Sequence, residues 1–280
     1  MNRQASIEQR VAKHYAQTDL ESAILNALAA SGKDVTRLEA SDLSPVDEFH
    51  TGGREATKEI AAQLKFGPNM RILDVGCGIG GPSRFFAEQY GCHVTGIDLT
   101  PEYVRTAQSL ARRVGLDGRV VYREASALNI PFEPASFDGA YMMHVGMNIE
   151  DKPKLFAEVR RVLKEGALFA VYDVMKRGEA EPTFPLPCAM TAETAFIVTV
   201  PDYRRELRAA GFEIVSERDR LEVAREFFRQ ERARAAQGES PSPLGIHILL
   251  KDVAPQILAN VVGLFERGVV TPTELICRAR

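Results

Sequence analysis

Asp74 lies in a short apolar run, Arg71-Ile72-Leu73-Asp74-Val75, and a glycine-dense stretch follows at once: Gly76-Cys77-Gly78-Ile79-Gly80-Gly81-Pro82-Ser83-Arg84. A second run ends on another carboxylate, Gly96-Ile97-Asp98-Leu99-Thr100. Glycine accepts positive φ and lets the backbone approach a ligand closely. A helix that starts after such a loop aims free N–H groups and its positive dipole end at whatever sits there. A carboxylate just ahead of the loop suits a ligand carrying an ammonium group and is awkward beside a pyrophosphate. A carboxylate at the end of the next strand stands where ribose hydroxyls are held in Rossmann units. Gly76, Gly78 and Gly81 also satisfy GxGxxG, so a nicotinamide-dependent oxidoreductase is the alternative from another class. Asp74 speaks against it, and Asp98 fits either ligand.

Positioning these residues takes alternating strands and helices, the βαβ rhythm. Apolar runs predict strands at 70–75, 93–99, 119–123, 137–145, 167–174, 212–221 and 274–278. Helical spacing predicts helices at 3–30 (broken near Thr18-Asp19), 54–65, 81–90, 101–114, 151–163, 201–210, 222–237 and 246–267. Lys164-Glu165-Gly166 reads as a turn, 176–187 as a loop, and 238–245 as a linker or mobile lid. Near-continuous apolar strands imply a sheet buried on both faces. The expected division is a helical N-terminal cap at 1–53, a nucleotide-binding core at 54–221, and a helical insertion with the last strand at 222–280.

The stretch 73–84, with Gly96 to Thr100, Pro131-Phe132, Phe137-Asp138 and Arg161 to Gly166, resembles the motifs of class I S-adenosylmethionine-dependent methyltransferases. The branch it is most similar to holds the sarcosine/dimethylglycine N-methyltransferases and the sterol and tocopherol C-methyltransferases. Phe49-His50-Thr51-Gly52-Gly53 is similar to a histidine–glycine loop ahead of the first motif in that branch. Lys164-Glu165-Gly166 departs from the usual Lys-Pro-Gly-Gly. The resemblance implies a Rossmann-like α/β fold with a mostly parallel seven-stranded sheet and helical extensions at both ends. It implies S-adenosyl-L-methionine as donor and S-adenosyl-L-homocysteine as product. Gly76, Gly78 and Gly80 would pass the cofactor, Asp74 would hold its ammonium, and Asp98 its ribose hydroxyls. Leu99 would pack on adenine, with Ser126 and Ala127 beside it and the Met143 backbone lining the pocket. Ser126 stands where the family often has Asp.

Acceptor residues belong at the ends of the fourth and fifth strands, where ligands of open α/β sheets collect. His144 is either a base or substrate-orienting residue, or a histidine that only caps its strand. Met147 and Asn148 follow it; Asn148 is equally a cap for the next helix. Tyr172 or Asp173, one of the two by strand alternation, steadies a cationic acceptor, unless Asp173 pairs with Lys176 or Arg177. Tyr15, His50 and His247 reach the pocket only if the extensions close over it. The acceptor is read as an amine nitrogen of a small molecule, with oxygen or carbon of an aromatic or isoprenoid compound as the runner-up. A protein that keeps the cofactor fold without catalysis is the third reading.

The 280 residues carry a net charge of -3, which gives no pull towards nucleic acid or anionic lipid. Cys77, Cys92, Cys188 and Cys277 form no CxxC pair, which argues against a metal site and suits a reducing cytoplasm. With no Trp, any aromatic cage uses Tyr or Phe. No run is read as long enough to span a bilayer. The sequence leaves the oligomeric state open, a homodimer included.

Overall fold

Strands that read as apolar throughout are buried on both faces, and they make the middle of one sheet. The computed structural model describes residues 3–237 and 243–280. The chain opens with α1 (Arg3–Tyr15), α2 (Leu20–Ala30), α3 (Ser44–Asp47) and α4 (Gly53–Leu64). The alternating core follows: β1 (Arg71–Val75), α5 (Gly81–Tyr90), β2 (His93–Asp98), α6 (Pro101–Arg113), β3 (Val120–Glu124), β4 (Phe137–Met143), α7 (Lys152–Val162) and β5 (Leu163–Lys176). Then come α8 (Val200–Ala209), β6 (Phe212–Asp219), α9 (Leu221–Ala236), α10 (His247–Leu250), α11 (Ala254–Arg267) and β7 (Val270–Ala279).

The seven strands run β3-β2-β1-β4-β5-β7-β6. β7 is antiparallel to both its neighbours, and the remaining pairs are parallel. β1 and β4 are buried almost end to end, whereas the edge strand β3 alternates buried and exposed positions along its first four residues and β6 alternates half-buried and exposed ones. Strand order reverses between β1 and β4, and a crevice opens there beyond the carboxyl ends of the strands. Because β7 inserts between β5 and β6, the segment holding α9, α10 and α11 is an excursion between two paired strands.

Several expectations need correction. The turn at 164–166 is a bulge instead: α7 runs straight into β5, buried Leu163 pairs with Phe137, and the ladder resumes at Gly139–Leu168 with Gly166 at φ 78°. The cap of α7 is Asp151, which accepts from the Lys154 N–H, and not Asn148. Residues 247–267 form one helical stretch long and apolar enough by composition to cross a membrane, which the sequence reading missed. Lys251, at φ 52°, interrupts it between α10 and α11, and Ala254, Ile257, Leu264 and Phe265 pack against the rest of the chain. Most of the linker expected at 238–245 lies outside the described residues.

The N-terminal helices bury their apolar faces on the core. Leu20, Ile24 and Leu28 of α2 share a cluster with Tyr103 and Leu110 of α6 and with Ile79 of the glycine loop. The extension therefore rests on the loop that would cradle a ligand.

Candidate active site

A cavity lies over the switch point. Its floor is the β1 loop (Gly76, Cys77, Gly78, Ile79), the end of β2 (Asp98, Leu99, Thr100), residues 125–128 after β3, and Met143 to Val145 after β4. Gln4, Glu8, Val11 and Tyr15 of α1 form the opposite wall, with Asp47, Phe49 and His50 beside them. Those four α1 residues recur at helical spacing on a single face. Two exposed ion pairs, Arg3–Glu150 and Arg10–Glu193, and the Tyr15 hydroxyl on Asn148 Oδ1 at 3.0 Å hold α1 in place.

Asp98 shapes the floor. Its carboxylate accepts the Gly78 N–H and the Thr100 N–H, each at 2.9 Å, and burial raises its pKa. Gly76 and Gly78 take φ of 73° and 53° in the loop that Asp98 closes. A Cβ on Gly76 would come within 2.4 Å of the Val145 side chain, so the β1 and β4 loops touch only because it is glycine. Asp74 Oδ2 accepts from Ser83 at 2.6 Å and from the Tyr141 hydroxyl at 3.0 Å. Burial still pushes Asp74 up to about 7, against the opposing pull of those two donors.

His144 follows β4 at φ 57°, its N–H held by the Tyr172 carbonyl at 2.7 Å. Its Nε2 is buried with no hydrogen-bond partner. Burial, and then neighbouring His50, lower its pKa well below the usual histidine range, so the ring is neutral at pH 7. The ring centroids of His50 and Tyr172 lie 6.0 and 5.1 Å from it. His50 is lowered to about 4 by burial and bonds Gly53 O and the Thr57 hydroxyl. Glu48, 3.7 Å from His50, is raised to about 8 by burial and by the Asp47 charge. A neutral histidine beside a protonated acid is not an ion pair, although the separation would allow one.

The structure thus brings Asp74, Gly76, Gly78, Asp98, Leu99, Ser126, Ala127, Met143, His144, Tyr15, His50 and Asn148 to the cavity wall. Other expected residues lie elsewhere. Gly80 is turned away: a Cβ there would strike the Tyr122 hydroxyl at 2.3 Å, which makes it a packing position behind the loop. Tyr172 is buried with its hydroxyl on Thr51 O at 2.9 Å, and Asp173 accepts from Tyr203 at 2.7 Å. Neither reaches the cavity, and Lys176 and Arg177 pair with Glu181 and Asp219 instead of Asp173. Met147 is outside this cavity but lines, with His144, a second, apolar chamber. His247 sits exposed against Pro243 O.

Two features escaped the sequence reading. Glu8 accepts a hydrogen bond from Ser126, so α1 delivers a carboxylate to the place where this chain has only a hydroxyl. Asp47 of α3 pairs with Arg84 of α5 at 2.6 Å, both side chains about 1% exposed. Gly81 permits that pair, since a Cβ would meet the Asp47 carbonyl at 2.3 Å. Arg84 in the helix after the glycine loop was the available signal, but its partner is remote in sequence.

Residues 73–171 match the family described as the methyltransferase domain. Phosphoethanolamine N-methyltransferase 1 of Zea mays is 34% identical over 172 residues, 61% of this chain and 34% of that protein. The 24-methylenesterol C-methyltransferase 2 of Oryza sativa subsp. japonica is 40% identical over 124 residues, 43% of this chain and 34% of its own length. The chain spans about a third of the length of these curated relatives. Among solved structures, the [4+2]-cyclase SpnF covers 97% of this chain and 96% of its own at 25% identity and a TM-score of 0.69. Geranyl diphosphate C-methyltransferase from Streptomyces coelicolor A3(2) covers 98% of both chains at 16% identity and a TM-score of 0.72, a likeness of fold. With its strand order, switch-point cavity and domain match, this chain carries the methyltransferase domain and Rossmann-like fold of the class I S-adenosylmethionine-dependent methyltransferases.

Proposed function

We propose that this protein transfers a methyl group from S-adenosylmethionine to a small-molecule acceptor. The charge of the cavity carries the reading. Glu8, Asp74 and Asp98 contribute to its wall, Asp47 beside them is already neutralised by Arg84, and among the described residues no lysine or arginine lines it. Such a wall favours a ligand with sulfonium and ammonium charges and disfavours the pyrophosphate of a dinucleotide. When bound, the donor supplies a methyl group already activated on a positively charged sulfur.

The remaining work falls to the protein. Asp98 keeps acceptor capacity for ribose hydroxyls while it pins the loop, because a carboxylate has about four lone-pair sites. Asp74 would take the ammonium, Leu99 and Ala127 would flank adenine, and Met143 would line the pocket with its backbone. Tyr15 and α1 exclude water and hold the reactants in line, which is the main catalytic need of such a displacement. The unpartnered Nε2 of His144 would accept the proton or the hydrogen bond of an acceptor that carries one; a neutral tertiary amine needs neither. The amine reading draws support from the likeness to a phosphoethanolamine N-methyltransferase. The oxygen or carbon reading draws support from the apolar lining beyond His144. A cytoplasmic location belongs to the same proposal and rests on four buried free cysteines.

Titration calorimetry with S-adenosylhomocysteine and with NAD tests the donor. Binding of the first with a Kd in the micromolar range and none of the second is expected, and the reverse would overturn the proposal. Because a cyclase shares the fold over the whole chain, labelled methyl transfer to pooled amines, phenols and apolar alcohols must accompany it. Binding without transfer to any pool would favour a protein that keeps the cofactor fold for another use.

A further inference from the structure

We propose that the acceptor is a neutral, apolar molecule whose body occupies a chamber behind His144; this rests on the methyl-transfer reading. His144 lines both cavities, so the chamber adjoins the donor site at the residue with the orphaned Nε2. Its far wall is Val261, Leu264 and Phe265 of α11, with Leu186 and Ile197 from the loop after β5 and Val174 of β5. Besides His144, its polar side chains are the Thr51 hydroxyl and the Cys188 thiol, which burial pushes up to about 12 and keeps uncharged.

No acid, lysine or arginine lines this chamber among the described residues. A phosphate or carboxylate taken there would lose its hydration and gain no counter-charge. Arg10, Lys13 and Lys251 line a different groove shared with Tyr15 and Phe49, and Arg10 is already paired with Glu193; Arg84 is taken by Asp47, and Lys152 by the Ile149 and Phe196 carbonyls. Apolar surface on the ligand is favoured instead, because its burial there removes it from water. A hydroxyl, enol or uncharged amine at the end of that body would satisfy the His144 ring and lie next to the donor. Val261, Leu264 and Phe265 of α11 form the chamber wall, while Ala254 and Ile257 pack with Leu250 and Phe49.

The test uses a matched set of probes, geraniol, geranyl diphosphate and phosphoethanolamine, titrated into the full-length protein saturated with S-adenosylhomocysteine. Geraniol should bind at least tenfold more tightly than either phosphate compound. Val261→Trp, at a partly buried position, should fill the chamber and weaken geraniol tenfold or more while S-adenosylhomocysteine binding stays within twofold. Val174→Phe repeats the test from β5 if Val261→Trp fails to fold. Equal or tighter binding of either phosphate compound, or geraniol affinity unchanged in a folded variant, would overturn the proposal. Absent S-adenosylhomocysteine binding with geraniol binding still sensitive to Val261 would overturn the methyl-transfer reading and support the chamber.

Discussion

The proposed role of Asp74 as holder of the donor's ammonium predicts that donor binding depends on pH. Burial raises its pKa from the ordinary 3.8 to about 7. Ionising it in the empty cavity therefore costs about 4 kcal/mol, at 1.36 kcal/mol for each pH unit. The folded protein holds this proton between pH 4 and 7 while the unfolded chain has lost it, so Asp74 lowers stability as pH rises through that window. A bound ammonium reverses the balance by favouring the carboxylate. At pH 6 about one tenth of the molecules have Asp74 ionised, and at pH 8 about nine tenths do. S-adenosylhomocysteine should then bind about tenfold more tightly at pH 8 than at pH 6, with a plateau above pH 7. Asn in its place can still accept from Ser83 and Tyr141 but carries no charge. Asp74→Asn should flatten the pH profile and weaken binding at pH 8 by about 10- to 100-fold, the worth of a hydrogen bond to a charged group. The same variant, without ligand, should unfold at a higher temperature than the wild type at pH 8 and show no such gain at pH 4. Calorimetric titrations at five pH values and paired thermal melts provide the readout. A wild-type affinity that is flat from pH 6 to 8, or a pH profile that survives in Asp74→Asn, would refute the assignment of the ammonium to this residue.

Three further outcomes are expected. His144→Gln should lower kcat by about 10²- to 10⁴-fold for an acceptor that must lose a proton and leave S-adenosylhomocysteine affinity within twofold; an unchanged kcat would make His144 structural. Glu8→Gln should weaken S-adenosylhomocysteine more than its 6-oxo analogue S-inosylhomocysteine, if Glu8, bonded to Ser126 in the cavity wall, accepts from the adenine amino group; equal effects on both ligands would remove Glu8 from adenine recognition. Gly81→Ala drives a methyl group against the Asp47 carbonyl and should cost about 1–3 kcal/mol by overpacking, read by urea denaturation, and a neutral result would mean that α3 shifts without loss.

What the sequence determined by itself is the local machinery of the switch point. An apolar run that ends in a carboxylate, followed by glycines and a helix start, specifies strand, loop and helix through neighbouring residues alone. Asp74, Gly76, Gly78 and Asp98 were legible because strand ends and tight loops leave little freedom in where such residues project. The tertiary structure decided everything that requires two distant segments to meet. Glu8 reaches Ser126 only because the apolar face of α1 lies over the cavity. Asp47 finds Arg84 only because α3 rests on the start of α5. Tyr172 and Asp173 were read as alternatives on opposite faces of β5, yet both faces are buried, and their hydroxyl and carboxylate are taken by Thr51 and Tyr203. The chamber behind His144 is closed by α11, far along the chain. Periodicity states which face of an element is apolar, but the partner of that face is set by packing between segments remote in sequence, and so the floor of the switch-point cavity was readable in one dimension, whereas α1 over that cavity and the α11 wall of the chamber were not.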